Sequence, residues 1–295
     1  MKKQRSVLDM EKKGFAAEIE AICPALDGHA IEACMKRLAL EKRREYLEAP
    51  EGMDGKEIFP WVYNRELSFL RRPYVRWQNA DGSKSVVFGF RSCLVAGLQL
   101  TDLLFAGRLK YVGKKLSKLL GRFESEKGTA FNEEVRTFLK KNSPLRVWDY
   151  DVSIKPKGNL LADEDYGDID VLAYDEKQNV VYSIECKNTN TAKNVREMKK
   201  EMDDYLGRGE NPDKDKKKAL VLKHLRRHKW LTDHLGNVAS FVGTSSDPVI
   251  KSVMLTSEVI PTSYLRKDDT PLPILNFQEM KANGWGILEA MVSKR

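Results

Sequence analysis

Two neighbouring β-prone runs, 168–175 and 180–187, carry charged side chains at alternating positions. Residues 176–179 between them have the composition of a turn, so the two runs predict a β-hairpin. Successive side chains of a strand point to opposite faces, so every second residue shares a face. The charged residues that this hairpin would gather on one face are Asp168, Asp170, Glu185 and Lys187.

The register of this hairpin follows from the same alternation. With a four-residue loop, Asp170 lies opposite Glu185 and Asp168 lies opposite Lys187. A slip of one residue would place each acid opposite an apolar partner and mix the two faces. We therefore expect the other face to be wholly apolar and to pack on a helix; it consists of Ile169, Val171, Ala173, Tyr182, Ile184 and Cys186.

Two carboxylates that face each other on a sheet repel, so a cation between them is expected. Carboxylate oxygens with open coordination positions suit Mg²⁺ or Mn²⁺. Lys187 shares the face and could orient or help deprotonate a water, or stabilise charge developing on a phosphate. The alternative is a solvated acidic surface with ordinary ion pairs.

These residues resemble the PD-(D/E)xK nuclease superfamily, which has the restriction-endonuclease-like fold. Asp170 matches the first Asp of its motif, and Glu185-Cys186-Lys187 matches the ExK. The leading Gly167-Asp168-Ile169-Asp170 is similar to the GExD opening of several branches. The resemblance covers residues 121–256 and leaves residues 1–120 outside.

The resemblance implies a nuclease that hydrolyses phosphodiester bonds with Mg²⁺ or Mn²⁺. Asp170 and Glu185 would bind the metal, together with the main-chain carbonyl of Cys186, and Lys187 would assist the attacking water. In the expected register the Cys186 side chain points to the apolar face, so we interpret it as a core residue.

The family usually adds a Glu from the first helix of the domain. Glu133 and Glu134 are the candidates, on a helix whose core face begins at Phe131. Glu134 lies on the flank of that face and Glu133 lies nearly opposite it, so we favour Glu134 as a catalytic residue. Related sequences often carry Glu where this chain has Asn132, and the alternative for either Glu is a solvated position on the helix.

The charge of the chain is concentrated in one stretch. The net charge is +8, and residues 65–118 alone hold 11 basic and 3 acidic residues. A basic stretch with interleaved aromatic residues favours nucleic acid as a partner, and we favour DNA over RNA. The alternative is that most of the aromatic residues are core. The residues predicted to contact nucleic acid are Arg71, Arg72, Arg76, Lys110, Lys114 and Lys115.

Two histidines, His224 and His228, stand four apart on a predicted helix, which is the spacing of a zinc-binding pair. No Cys, Asp or Glu nearby would complete the site, so we do not interpret them as zinc ligands.

Several classes of protein are excluded by the sequence. The longest apolar run, 93–106, contains polar residues and an acid, so no membrane span is expected. The N-terminal residues are charged rather than apolar, and the four cysteines form no CxxC pair, so we expect a cytoplasmic protein without a signal peptide or disulfides. No nucleotide-binding glycine loop or esterase motif is present. Either a homodimer or a complex with a partner protein is compatible with the sequence.

We predict an α/β protein in which a restriction-endonuclease-like mixed sheet, flanked by helices, follows a mainly helical N-terminal domain. The predicted domains are 1–120, basic and suited to nucleic acid, and 121–295, nuclease-like. The predicted helices are 8–21, 28–47, a buried one at 92–106, 109–120, 192–206 and 214–235. The other predicted strands are 74–78, 85–90, 146–154 and 249–256, followed by an irregular tail.

Two other functions remain as alternatives to the nuclease. The first is a non-catalytic module that binds nucleic acid on the same fold. The second is an interaction protein in which the acidic hairpin is a plain surface.

Overall fold

A computed structural model describes residues 24, 27–43, 45–51, 53–59, 65–105, 109, 114–192, 195–208, 219–266 and 270–292. The chain divides into two compact units, Met1–Leu120 and Gly121–Arg295. Both helices and strands occur in the described parts of both units, so the α/β class is confirmed. No helix of these residues is long and apolar enough to cross a membrane. The predicted helix 8–21 lies outside the described residues.

The first unit contains a small sheet and two longer helices. Its elements in chain order are α1 (Gly28–Arg37), β1 (Ala39–Glu41), a 3₁₀ turn (Gly55–Ile58), β2 (Tyr74–Gln78), β3 (Lys84–Phe88) and α2 (Phe90–Phe105). β1 pairs parallel to β2, and β2 pairs antiparallel to β3, so the predicted strands 74–78 and 85–90 form a hairpin. The predicted helix 28–47 is too long, because the chain leaves the helix at Leu38 and joins the sheet. The described part of this unit therefore contains a three-stranded sheet beside its helices.

The prediction that α2 is buried is wrong. Phe90, Leu94 and Leu98 are exposed, while Ala96 and Leu103 are buried. This helix has apolar side chains around most of its circumference, but the described residues of the unit cover only part of it. Hydropathy therefore does not indicate which of its side chains are exposed.

A long helix, α3 (Lys114–Asn142), enters the second unit. The predicted end of a basic helix at Gly121 is wrong, because α3 continues through this residue. A helical glycine costs only about 1 kcal/mol relative to alanine, which a packed helix of this length tolerates. Further along, Phe131, Val135 and Leu139 are buried on one face, as the spacing predicted.

The second unit is built on a five-stranded mixed sheet. Its strands in chain order are β4 (Arg146–Val147), β8 (Val171–Asp175), β9 (Val180–Lys187), β10 (Val249–Thr256) and β11 (Ile274–Asn276). A smaller sheet contains the strands between β4 and β8, which are β5 (Val152–Lys155), β6 (Leu160–Leu161) and β7 (Gly167–Ile169). The spatial order of the large sheet is β11-β10-β9-β8-β4. β9 is antiparallel to β8 and parallel to β10, so it occupies the centre of the sheet.

Helices cover both faces of the five-stranded sheet. The remaining helices are α4 (Val195–Leu206), α5 (Leu220–Asp233), α6 (Leu235–Val242), α7 (Pro261–Leu265), α8 (Phe277–Asn283) and α9 (Ile287–Val292). One face of the sheet packs on α3, α8 and α9, and the other packs on α5 and α6. Burial on both faces explains why β8 and β9 are buried almost throughout.

The predicted register is confirmed over β8, where Val171 pairs with Ile184 and Asp175 pairs with Val180. Val171, Ala173 and Tyr182 share a core with α3, so the apolar face packs on a helix as predicted. The single strand predicted for 168–175 is wrong, because the chain changes sheets at Asp170.

Other predicted boundaries also differ from the structure. The predicted strand 146–154 forms β4 and β5, which belong to different sheets. The predicted helix 214–235 is described from Leu220 and breaks at His234, after which α6 begins. The tail is not irregular, because β11 pairs with β10 and the Asn276 side chain caps α8.

Candidate active site

Asp170 lies where the chain passes from β7 of the small sheet to β8 of the large one. Its carboxylate Oδ2 accepts a hydrogen bond from the Cys186 main-chain N–H at 2.8 Å. Its main-chain carbonyl accepts a hydrogen bond from the Arg136 guanidinium of α3. The backbone pairing between β8 and β9 ends at Val171. The Asp170 side chain nevertheless contacts β9 at Cys186, the residue after Glu185.

The Glu185 carboxylate is buried and contacts two cationic side chains. Its Oε1 lies 2.7 Å from the Lys187 Nζ, and its Oε2 accepts a hydrogen bond from Arg227 of α5. His224, one turn earlier on α5, places its Nδ1 4.0 Å from the same Oε2. The Lys187 side chain is 29% exposed and that of Glu185 only 8%, so the cluster meets solvent on the lysine side.

The charges of this cluster shift its pKa values in opposite directions. Burial and the charge of Glu185 raise the pKa of Asp170 to about 6. Burial acts to raise the pKa of Glu185 as well, but Arg227 and Lys187 outweigh it and lower that pKa. Burial acts to lower the pKa of Lys187, but the two carboxylates raise it above its ordinary value. At neutral pH the cluster therefore holds an ionised Glu185 and a protonated Lys187.

Two residues of α5 join this cluster, and the sequence predicted neither of them as part of it. Arg227 belongs to no motif, and the only motif that includes His224 is its zinc-like spacing with His228. The two histidines diverge, since the His228 Nδ1 lies 2.9 Å from the Ser252 hydroxyl while His224 lies near Glu185. Burial lowers the pKa of His224 to about 4, so its ring is neutral at pH 7. The signal that could have found this side of α5 is the spacing of three between His224 and Arg227, which places both on one face.

The two acids of α3 have different partners. Glu134 is half-exposed and forms an ion pair with Lys281 of α8 at 2.5 Å. Glu133 pairs instead with Arg136, which also binds the carbonyl of Asp170. The structure thus links Glu133, rather than the favoured Glu134, to the surroundings of Asp170. No sequence pattern indicated the role of Arg136.

Asp168 does not join the cluster. The prediction that it lies opposite Lys187 is wrong, because it pairs with Ser153 of β5. Its exposed carboxylate lies 3.7 Å from the Lys155 Nζ. Ile169, which the predicted register places on the same apolar face as Cys186, pairs instead with Val152 of β5 for the same reason.

The oxygen atoms that could hold a metal are the carboxylates of Asp170 and Glu185, with the main-chain carbonyl of Cys186. Among the described residues, no group of three or more His, Cys, Asp or Glu side chains could hold a metal ion. Mg²⁺ is usually bound by one or two carboxylates plus water, so two carboxylates fit it better than a metal that needs a full protein cage. The Cys186 side chain is buried in the core, as predicted, and burial raises the pKa of its thiol.

The basic residues predicted to contact nucleic acid belong to the first unit, where several already have partners. Arg71 is buried. Arg72 forms an ion pair with Glu66 at 3.7 Å, and Arg76 forms one with Glu41. Contact of these residues with nucleic acid stays a prediction.

The lysines in this set are described only in part. Lys114 and Lys115 begin α3, where the Lys114 side chain is exposed. Lys110 lies outside the described residues. These lysines remain predicted phosphate contacts.

Most of the chain matches the model of a known protein family. The match covers residues 1–270, and the family is described as the Upx-like anti-phage proteins. No curated protein and no solved structure matches the chain. The matched residues include Asp170, Glu185, Lys187 and the two helices, α3 and α5, that contact the site. This chain belongs to the Upx-like anti-phage protein family.

Proposed function

We propose that this protein is a metal-dependent nuclease of phage defence, which hydrolyses phosphodiester bonds in DNA in preference to RNA. Membership of the anti-phage family suggests the defence role. The main support for nuclease activity is that Asp170, Glu185 and Lys187 lie close together. The Asp170 carboxylate accepts a hydrogen bond from Cys186, which stands between Glu185 and Lys187 in the sequence. We place this activity in the cytoplasm.

The order of the elements supports the proposal. A long helix, the pair β8 and β9, intervening helices and the parallel strand β10 occur in this order in the second unit, with β4 to β7 between the long helix and β8. This order is similar to the helix–strand–strand–strand–helix order of the restriction-endonuclease-like core that the sequence resembles. Glu185 to Lys187 lie at the end of β9, the central strand of the sheet.

The residues of the cluster would have different roles in phosphodiester hydrolysis. Asp170 and Glu185 would hold Mg²⁺ or Mn²⁺ with the Cys186 carbonyl, and such an ion stabilises phosphate charge and lowers the pKa of water. Without a metal, the two carboxylates raise the pKa of Lys187. A bound divalent cation would offset their charge, so Lys187 could orient or help deprotonate the attacking water, or stabilise negative charge on the phosphate.

A cleavage assay tests this proposal. Labelled double-stranded, single-stranded and branched DNA, and RNA, are incubated with Mg²⁺, with Mn²⁺ or with a chelator. We expect metal-dependent cleavage by the wild type and a loss of about a thousandfold in Lys187→Ala and Asp170→Ala. Asp168→Asn is the matched control, because this exposed acid contacts Lys155 and should leave the rate unchanged. Metal-dependent cutting that survives both alanine substitutions would contradict the proposal.

One observation favours a second candidate, a module that binds nucleic acid without cutting it. Both oxygens of Glu185 already have cationic partners, Arg227 and Lys187, so its charge is compensated by the protein itself. A gel-shift experiment run beside the cleavage assay separates the two functions. Binding without cleavage in both Mg²⁺ and Mn²⁺ would support this candidate over the nuclease.

A further inference from the structure

We propose that Arg227 is a positioning residue for this reaction, which fixes the Glu185 carboxylate and, through it, the ammonium of Lys187. The inference rests on the proposed nuclease, since it assigns a role within that site. Arg227 lies on α5, forty-two positions beyond Glu185 in the sequence. No motif of the hairpin indicates it.

The two carboxylate oxygens of Glu185 are shared between two cations. Arg227 binds Oε2, and Lys187 lies 2.7 Å from Oε1. A carboxylate held at both oxygens cannot rotate about its last bond, so the plane of the group is fixed. The ammonium of Lys187 is then held at a defined point beside Glu185.

The Arg227 side chain is itself confined. The residue is 7% exposed, and its guanidinium passes close to Gly167, the first residue of β7. A Cβ atom built at Gly167 would lie 3.1 Å from the Arg227 Nη1, and Gly167 has a φ of +89°. Glycine is therefore favoured here both by the backbone and by the approach of the arginine. Arg227 thus connects the start of the segment that carries Asp170 to the strand that carries Glu185.

The location of Arg227 favours positioning over substrate binding. Arg227 is buried behind Glu185, whereas the solvent side of the cluster belongs to Lys187. A group in this place acts on the substrate only through Glu185. A planar guanidinium keeps its orientation where the amine of a lysine would not, so Arg227→Lys should preserve the charge but not the full geometry.

The kinetic test compares Arg227→Met and Arg227→Lys with the wild type on a DNA that the wild type cleaves. We expect kcat to fall about a hundredfold in Arg227→Met with KM changed less than about twofold, and Arg227→Lys to recover about a tenth of the wild-type rate. The matched control is Arg226→Met, because this neighbour on α5 is 52% exposed and pairs with Glu164. An unchanged kcat in Arg227→Met, or an effect confined to KM, would overturn the inference.

A second measurement, binding of Mn²⁺ alone by calorimetry, does not depend on cleavage. Removal of a positive charge beside Glu185 should leave Mn²⁺ binding as tight as in the wild type or up to about tenfold tighter. A merely structural role would instead abolish it, and that result in Arg227→Met and Arg227→Lys would overturn the inference. A wild type that cleaves none of the DNA or RNA substrates would overturn the proposed nuclease and this inference together. A cleaving wild type with a fully active Arg227→Met would overturn only the inference.

Discussion

Replacement of Arg136 by methionine should destabilise the second unit and disturb Asp170. Arg136 is buried on α3, where its guanidinium donates to the Asp170 carbonyl and to the carboxylates of Asp151 and Glu133. Methionine keeps most of the aliphatic length of the side chain but none of the donors. The change therefore removes the hydrogen bonds and leaves most of the packing.

The magnitude follows from the exposure of the three partners. The side chains of Glu133 and Asp151 are 54% and 48% exposed, so water replaces the guanidinium there at little cost. The Asp170 carbonyl, by contrast, loses a charged donor, which is worth about 1.5–3 kcal/mol. We expect the free energy of unfolding to fall by about 2–3 kcal/mol. For a domain of this size that corresponds to a decrease in Tm of about 5–10 °C.

Urea denaturation followed by tryptophan fluorescence measures this difference. The control is Arg122→Met, on the same helix, where the arginine is 73% exposed and its partner Glu126 lies 3.4 Å away. An exposed pair of this kind should contribute less than about 0.5 kcal/mol. If Arg136→Met is no less stable than Arg122→Met, the guanidinium does not hold the bend at Asp170, and the reasoning is refuted.

Four further perturbations test the packing and the charges. Gly167→Ala should lower the free energy of unfolding by about 1–3 kcal/mol, because alanine is strained at a φ of +89°; thermal unfolding measures this, and an unchanged Tm would contradict it. Leu139→Ala, in the α3 core, should cost about 2–5 kcal/mol in urea denaturation, and a loss below about 1 kcal/mol would speak against its full burial. Since the pKa of His224 is lowered to about 4 on folding, its contribution to stability is present above pH 6.5 and is lost as the pH falls towards 4; the urea midpoint of His224→Leu should therefore decrease less than that of the wild type over this range. The pKa of Asp170 is raised to about 6, so its contribution is present below pH 4 and is lost as the pH rises through 6; in chelator, Asp170→Asn should gain stability over the wild type as the pH rises from 4 to 7, and a constant difference would contradict the shift.

The sequence predicted the structure correctly where the spacing of apolar side chains within one element determines which face is buried. The pairing of Val171 with Ile184 follows from it, because a slip of one residue would expose the apolar face. The core face of α3 at Phe131, Val135 and Leu139 follows in the same way from helical spacing. These patterns are local, so no knowledge of distant elements is needed.

The prediction fails where distant parts of the chain compete. Asp168 alternates correctly with Asp170, yet it pairs with Ser153. The reason is that the residues before Asp170 form β7, which belongs to the smaller sheet. Nothing in the hairpin indicates that Arg136 and Arg227, from two different helices, bind the Asp170 carbonyl and the Glu185 carboxylate. A cationic side chain on a helix has no periodic signal of its own, since the same residue on a solvated face has an identical pattern.

The hydrogen bond from the Cys186 N–H to the Asp170 carboxylate has a consequence for amide exchange. Beyond Ile184 the backbone of β8 no longer pairs with β9, so this carboxylate supplies the next acceptor on that side of the strand. The Cys186 amide is therefore protected from exchange only while Asp170 keeps its place. Deuterium uptake at this one amide would report movement of Asp170 in the intact protein, with no substrate present.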